Sequence, residues 1–270
     1  MDYLEYGVLD SYETVKGMLT VDLINRDQNK EFLKGIPRHD MEDLSLIYRI
    51  RINGDDNELM ADLLFTNKML ERYGITPEQL HHDALETAGR KEPLYILTVK
   101  EIMERMSDML GMPALLEIPE QEAEYGFSLY MATNLSGRKG ASVIAYPEFM
   151  DKASEKLNGD FYIFPSSVNE VMMLPDDGEQ NWRNLENVVR GINKDSIPSG
   201  EKLSDKVYHY DSRERVFELA EKYESRKQER TEPGHSVLGD LKAFSEKAEK
   251  TDQSRQKSKS RPVSSQDVSL

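Results

Sequence analysis

Cysteine is absent from this chain of 270 residues. That removes disulfides, thiolate zinc sites and thiol catalysis together. No run of about 18 apolar residues occurs, so no membrane-spanning helix is expected. The first residues, MDYLEYGVLDSYETVK, are acidic and lack the basic start and apolar middle of a secretory signal; a cytoplasmic location is the expectation. Histidine is scarce: His39, His81, His82, His209 and His235 are the full set. His81 and His82 are neighbours inside a predicted helix, about 100° apart, and cannot readily grip one metal. With no H-E-x-x-H and no calcium-loop spacing, the histidines read as solvated or packing residues, and neither metal nor cofactor is expected.

What the chain has is charge. The net of −15 is unevenly spread. Ser225 to Leu270 holds ten Lys/Arg and seven Asp/Glu, which leaves 25 basic and 43 acidic residues before it. An acidic body repels a phosphate backbone, so nucleic-acid binding through the folded part is not expected. An acidic mimic of nucleic acid is the alternative that such a balance permits; its carboxylates would form a stripe at phosphate spacing.

The densest apolar patterning runs from Gly126 to Asp177 and reads as strand, turn, strand, helix, strand, turn, strand. Phe127–Thr133 alternates, Asn134–Gly140 is a turn, and Ala141–Tyr146 reads as a strand. Pro147 opens a helix through Phe149, Met150, Ala153 and Leu157, which Asn158 and Gly159 end. Phe161–Phe164 and Val168–Leu174 are short strands joined by Pro165, Ser166 and Ser167. Upstream, Gly17–Ile24 and Leu44–Ile52 read as strands, and Leu46, Tyr48, Ile50 and Ile52 share one face. Asn53–Asn57 is a hairpin turn before a return strand at Glu58–Phe65. Asn67 starts a helix that Gly74 stops. Thr76, Pro77 and Gln79 form a strong second helix start, and Gly89 is its expected end. Thr98 is read as the cap of a third helix.

Asn181–Asn193 is an amphipathic helix using Trp182, Leu185, Val188, Val189 and Ile192, Val207–Tyr210 a last strand, and Val216–Tyr223 an exit helix. Mixed spacing of strands and helices predicts an α+β fold, a mostly antiparallel sheet with packed helices, over residues 1–224. From 225 to 270 few apolar residues remain and disorder is expected. One island stands out at 236–249: Ser236 can cap a helix that puts Val237, Leu238, Leu241 and Phe244 on one side. Such a stripe suits docking into a partner's groove.

Chemistry is thinly signalled. Ser166, Ser167, Asn169 and Glu170, with Asn134, form the most enzyme-like group and would suit a hydrolase or a nucleotide-acting enzyme. A serine nucleophile needs a base, and only His209 or His39 is on offer. Neither G-x-S-x-G nor S-x-x-K occurs. Gly137-Arg138-Lys139-Gly140 lacks the spacing of a dinucleotide fingerprint and the G-K-[ST] of a P-loop, and reads as a turn between strands.

The blocks TN-x5-GAS-x3-YP, GDFYIFPSSVNEVMMLPDD, VRGIN and LSDKVYHYD resemble a bacterial family known only as a domain of unknown function, frequent in gut anaerobes and in integrative elements. LTVDLIN, NKEFLKGIP, MEDLSLIYR and YGITPEQL are similar to its first half. The likeness covers about residues 16–211. Asn169 stands where the family pattern P-S-S-x-H-E has histidine, and an N-x-H segment near Asn67 is replaced by Asn-Lys-Met. If those histidines were a family site, this chain would lack it. The resemblance implies an accessory protein of a mobile element, the two missing histidines point away from an enzyme, and the stripe at 236–249 points to a protein partner.

Overall fold

The computed structural model describes residues 7, 9–53, 59–98, 100–102, 104 and 129–231. The chain divides into two units, Met1–Glu221 and Lys222–Leu270. The first contains two antiparallel sheets.

Helix α1 (Tyr12–Lys16) begins at Ser11, whose side chain accepts from the Thr14 amide. Strand β1 (Leu19–Asn25) pairs with β3 (Leu44–Asn53), Leu19 opposite Ile50 and Leu23 opposite Leu46. Between them lie a 3-10 turn at Phe32–Gly35 and the short strand β2 (Arg38–Met41). β3 also pairs with β2 and with β4 (Leu59–Leu64), the return strand of the predicted hairpin. As the alternation predicts, Leu46, Tyr48, Ile50 and Ile52 all lie in the core. Helix α2 (Asn67–Tyr73) stops at Gly74, which takes a left-handed conformation while the Ile75 amide bonds back to Leu70. Helix α3 (Pro77–Lys91) starts where the capping residues place it, with Thr76 accepting from the Gln79 amide.

The second sheet runs β10-β9-β7-β8-β6-β5. Its strands are β5 (Leu94–Thr98), β6 (Tyr130–Asn134), β7 (Phe161–Phe164), β8 (Val171–Pro175), β9 (Tyr208–Asp211) and β10 (Val216–Leu219). β7 is buried on both faces. Phe161 and Ile163 join the main core, while Tyr162 and Phe164 join a second cluster with Val189, under helix α5 (Trp182–Asp195). Helix α4 (Phe149–Leu157) ends at Asn158, in a left-handed conformation, as expected.

Several expectations are corrected. Ala141–Tyr146 is not a strand; Gly140–Ala145 is a 3-10 helix. An unbroken apolar run suits a buried helix as well as a strand, and here Lys139 enters it in a left-handed conformation. Gly89 does not end α3, which continues to Lys91; a Cβ at Gly89 would lie 4.0 Å from the Tyr146 ring. Leu94–Thr98 forms the unexpected strand β5, and Thr98 still acts as a cap: its Oγ1 accepts from the Glu101 amide while Glu101 accepts from the Thr98 amide. Val216–Leu219 is a strand before helix α6 (Ala220–Thr231), which runs past Ser225 into the stretch expected to lack structure. The island at 236–249 lies outside the described residues.

Among the described residues no helix is long and apolar enough to cross a membrane.

Candidate functional site

The five sequence candidates fall on two turns that meet. Gly140 is the contact point. A Cβ there would strike Thr133 Oγ1 and the Asn169 carbonyl, and would lie 2.9 Å from the Asn134 amide nitrogen. Only glycine lets the two turns close to this distance. Thr133 Oγ1 donates to the Asn169 carbonyl at 2.8 Å, and Val168 accepts from the Ala141 amide at 3.1 Å. A third loop completes the junction: the Val168 amide bonds to the Glu201 carbonyl, and Leu203 and Ser204 donate to the carbonyls of Ser166 and Pro165.

At this junction most of the polar groups are engaged. Asn134, buried, donates to the Arg138 carbonyl and accepts from Ser136. Asn169 accepts from the Lys139 amide at 3.2 Å and donates to Glu201 at 3.1 Å. Ser167 is 2% exposed, and its Oγ accepts from the Asn169 amide. Burial raises the Glu170 carboxyl above its usual range and neighbouring Glu201 adds to this, against the Ser167 bond. Ser166 contributes its main-chain amide and carbonyl. The two histidines that could serve as base are placed elsewhere: His209 bonds Asp176 at 3.0 Å, and His39 stacks on His81 at 4.5 Å. The candidates thus converge, and they act as chain ties. One lone pair of Ser167 Oγ is taken by the Asn169 amide, and both histidines are placed elsewhere, so Ser167 has no imidazole beside it to act as base.

A second tie joins the ends of the family-like blocks. Asp43 accepts from the Tyr208 hydroxyl and, at 2.8 Å, from Ser204. Asn25 donates to the Leu203 carbonyl at 2.9 Å, and Asn193 to Ser204 at 2.8 Å and Asp205 at 2.7 Å. Burial, and then Asp43, push the Tyr208 phenol far above its ordinary range. MEDLSLIYR, VRGIN and LSDKVYHYD therefore meet in one network.

Sequence spacing missed a histidine cluster on α3. His81 stacks on His39, and its Nδ1 lies 2.8 Å from the Tyr48 hydroxyl. Burial, then the neighbouring His39 and His82, lower the His81 imidazolium below its ordinary range. His82, Asp83 and Glu86 offer ligating atoms within 4.8 Å of one another. Asp83, however, already holds Lys16 at 2.8 Å and accepts from Tyr12 at 2.8 Å. The Lys16 ammonium thus already neutralises the buried carboxylate of this group. The partners come from α1, β2 and β3, far away in sequence, so no local motif announces them.

A depression of about 380 Å³ between β5 and α4 is lined by Leu94, Ile96, Lys152, Glu155 and Lys156 and shares no residue with the junction. Among the described residues, α5 carries exposed apolar side chains at helical spacing. Its inner side, Val189 with Trp182 and Leu185, covers the second sheet, while Val188 and Ile192 are 59% and 49% exposed, one turn apart. Arg183, Arg190 and Lys194 lie on the opposite flank of the helix, where Arg190 reaches Glu186 at 3.8 Å. Many exposed carboxylates elsewhere are drawn into local pairs, such as Asp27–Lys30, Glu31–Lys34 and Asp151–Arg215.

Residues 2–212 match the sequence profile of a family of unknown function, DUF5688. No curated protein and no solved structure matches the chain.

Proposed function

The chain belongs to DUF5688, a family of unknown function, and we propose that it is a non-enzymatic interaction protein, a cytoplasmic accessory of a bacterial mobile element. The observation that carries this reading is the exposed Val188–Ile192 ridge of α5. Two large apolar side chains at i and i+4, exposed on one flank of a surface helix, suit a partner surface that is apolar at its centre. The engagement of Ser167, Asn169 and Asn134 in main-chain ties favours the same reading over catalysis. The resemblance to proteins of integrative elements supports the accessory role. The stripe Val237, Leu238, Leu241 and Phe244 is a second contact for the same partner, by its helical spacing.

The test is affinity capture with the full-length chain, a Val188→Asp/Ile192→Asp variant and a Leu241→Asp/Phe244→Asp variant. A captured protein that is lost from both variants, each with an unaltered melting curve, is the expected result. Identical sets of captured proteins for all three would remove the proposal.

A further inference from the structure

Helix α3 brings one imidazole and two carboxylates together. His82, Asp83 and Glu86 each offer a ligating atom within 4.8 Å of the other two. His82 and Glu86 stand at i and i+4, on one face of the helix, and both are exposed to solvent. Asp83 is buried, yet its Oδ1 lies 3.4 Å from His82 Nδ1. Two ligands on a tetrahedral zinc ion, each roughly 2.0–2.1 Å from the metal, are about 3.3 Å apart. The Asp83 carboxylate is also held from behind, because Tyr12 donates to its Oδ2 at 2.8 Å. Outer contacts of this kind orient a ligating carboxylate. The other oxygen already attracts a cation, the Lys16 ammonium at 2.8 Å. The Lys16 side chain is 36% exposed, so its ammonium can swing into water and keep its charge. His81 takes no part: its Nδ1 lies at the Tyr48 hydroxyl and its ring on His39.

We propose that this group is a zinc site at which the metal displaces Lys16. A ring nitrogen of His82, Asp83 Oδ1 and a Glu86 carboxylate oxygen bind the ion, and water takes the fourth position. The donor set selects the metal class, since an imidazole beside two carboxylates suits zinc better than calcium or magnesium, which prefer oxygen alone. Charge and ligand number drive the exchange. The ammonium satisfies one carboxylate oxygen of the three donors, whereas a divalent ion bonds all three at once. Exposure of His82 and Glu86 leaves the fourth position open to solvent. Binding would replace the Lys16 tie between α1 and α3 with a clip inside α3, while the Tyr12 tie stays. Nothing here depends on α5 or the interaction role.

Calorimetric titration of the full-length chain with zinc chloride, at neutral pH in a buffer that does not chelate metal, tests this. Saturable binding is expected. His82→Ala and Glu86→Gln should each weaken it at least about tenfold, since even the outer partners of a ligand carry that much. Both side chains are exposed on a helix, so these variants keep the fold. His39→Ala, which removes the stacked imidazole alone, should leave zinc affinity unchanged. Lys16→Gln keeps a donor for Asp83 but not the charge that competes with the metal, and should tighten binding about tenfold. No saturable zinc binding, or affinity undiminished in both His82→Ala and Glu86→Gln, would overturn the site. Affinity unchanged or weakened in Lys16→Gln, with an unaltered melting curve, would overturn the displacement.

Discussion

The loop junction around Gly140 and the outer face of the first sheet lie close to each other, linked through Lys139, and they treat polar side chains in opposite ways. At the junction, Asn134, Ser167 and Asn169 hold main-chain groups and one another. On the sheet face, Asp22 Oδ1 and Arg51 Nε are buried with no hydrogen-bond partner. The residue types at the junction look more like an enzyme's, with two serines, an asparagine and a glutamate in a row. Satisfaction of hydrogen bonds, rather than residue type, separates structure from an available site: a group already bonded on every side has little left to give a ligand.

The comparison predicts opposite signs for mutations in the two regions. The largest effect belongs to Gly140→Ala. Its methyl would collide with the Thr133 hydroxyl and the Asn169 carbonyl, and backbone has to move to relieve this. A loss of about 3 kcal/mol or more in denaturant unfolding is expected. A near-neutral result would mean that the two turns are not locked together. Next comes Asp43→Ala, which leaves the buried Tyr208 hydroxyl and Ser204 without their acceptor. The expected cost is about 2–3 kcal/mol, measured as a lower denaturation midpoint at unchanged slope. Asn169→Ala removes the acceptor for the Lys139 amide and the donor to Glu201, both partly exposed, and should cost about 1 kcal/mol.

Much of the fold was legible because local chemistry and burial agree along most of the chain. The Thr76 cap, the Gly74 and Asn158 stops, and the alternation from Leu46 to Ile52 each mark an element at its right place. Sequence failed where no periodicity exists. The exposed strand Arg38–Met41 is too polar to announce itself, and Gly140–Ala145 is apolar at nearly every position, so neither period is visible. The sequence also picked out the junction, since its serines and asparagines do meet in space, but not their role, which depends on Glu201 and Lys139 coming from other loops. The Asp22 face was hidden for a different reason. A lone aspartate in an apolar strand reads as a solvent-facing position; only the pairing of Asp62 with Arg49 shows that Asp22 lacks a close partner.

The last predicted effect is the one with the reversed sign. Burial raises the Asp22 carboxyl above its ordinary range, while Lys139 and Arg49 pull it back only in part. A carboxyl with a folded pKa above its unfolded value, about 3.9, holds its proton more tightly in the folded state. The folded state is then favoured most below the unfolded value, and that advantage is lost as pH rises through the folded pKa. Asp22→Asn removes the charge that burial penalises at neutral pH and changes little in strong acid, where both forms are uncharged. Unfolding free energies should therefore rise by about 1 kcal/mol near pH 7, with the difference shrinking to nothing near pH 3. If Asp22→Asn is instead destabilising at neutral pH, the 3.7 Å contact with Arg49 outweighs the cost of burial. Asp22 would then belong with the spent groups of the junction, and the contrast between the two regions would fail at its most informative residue.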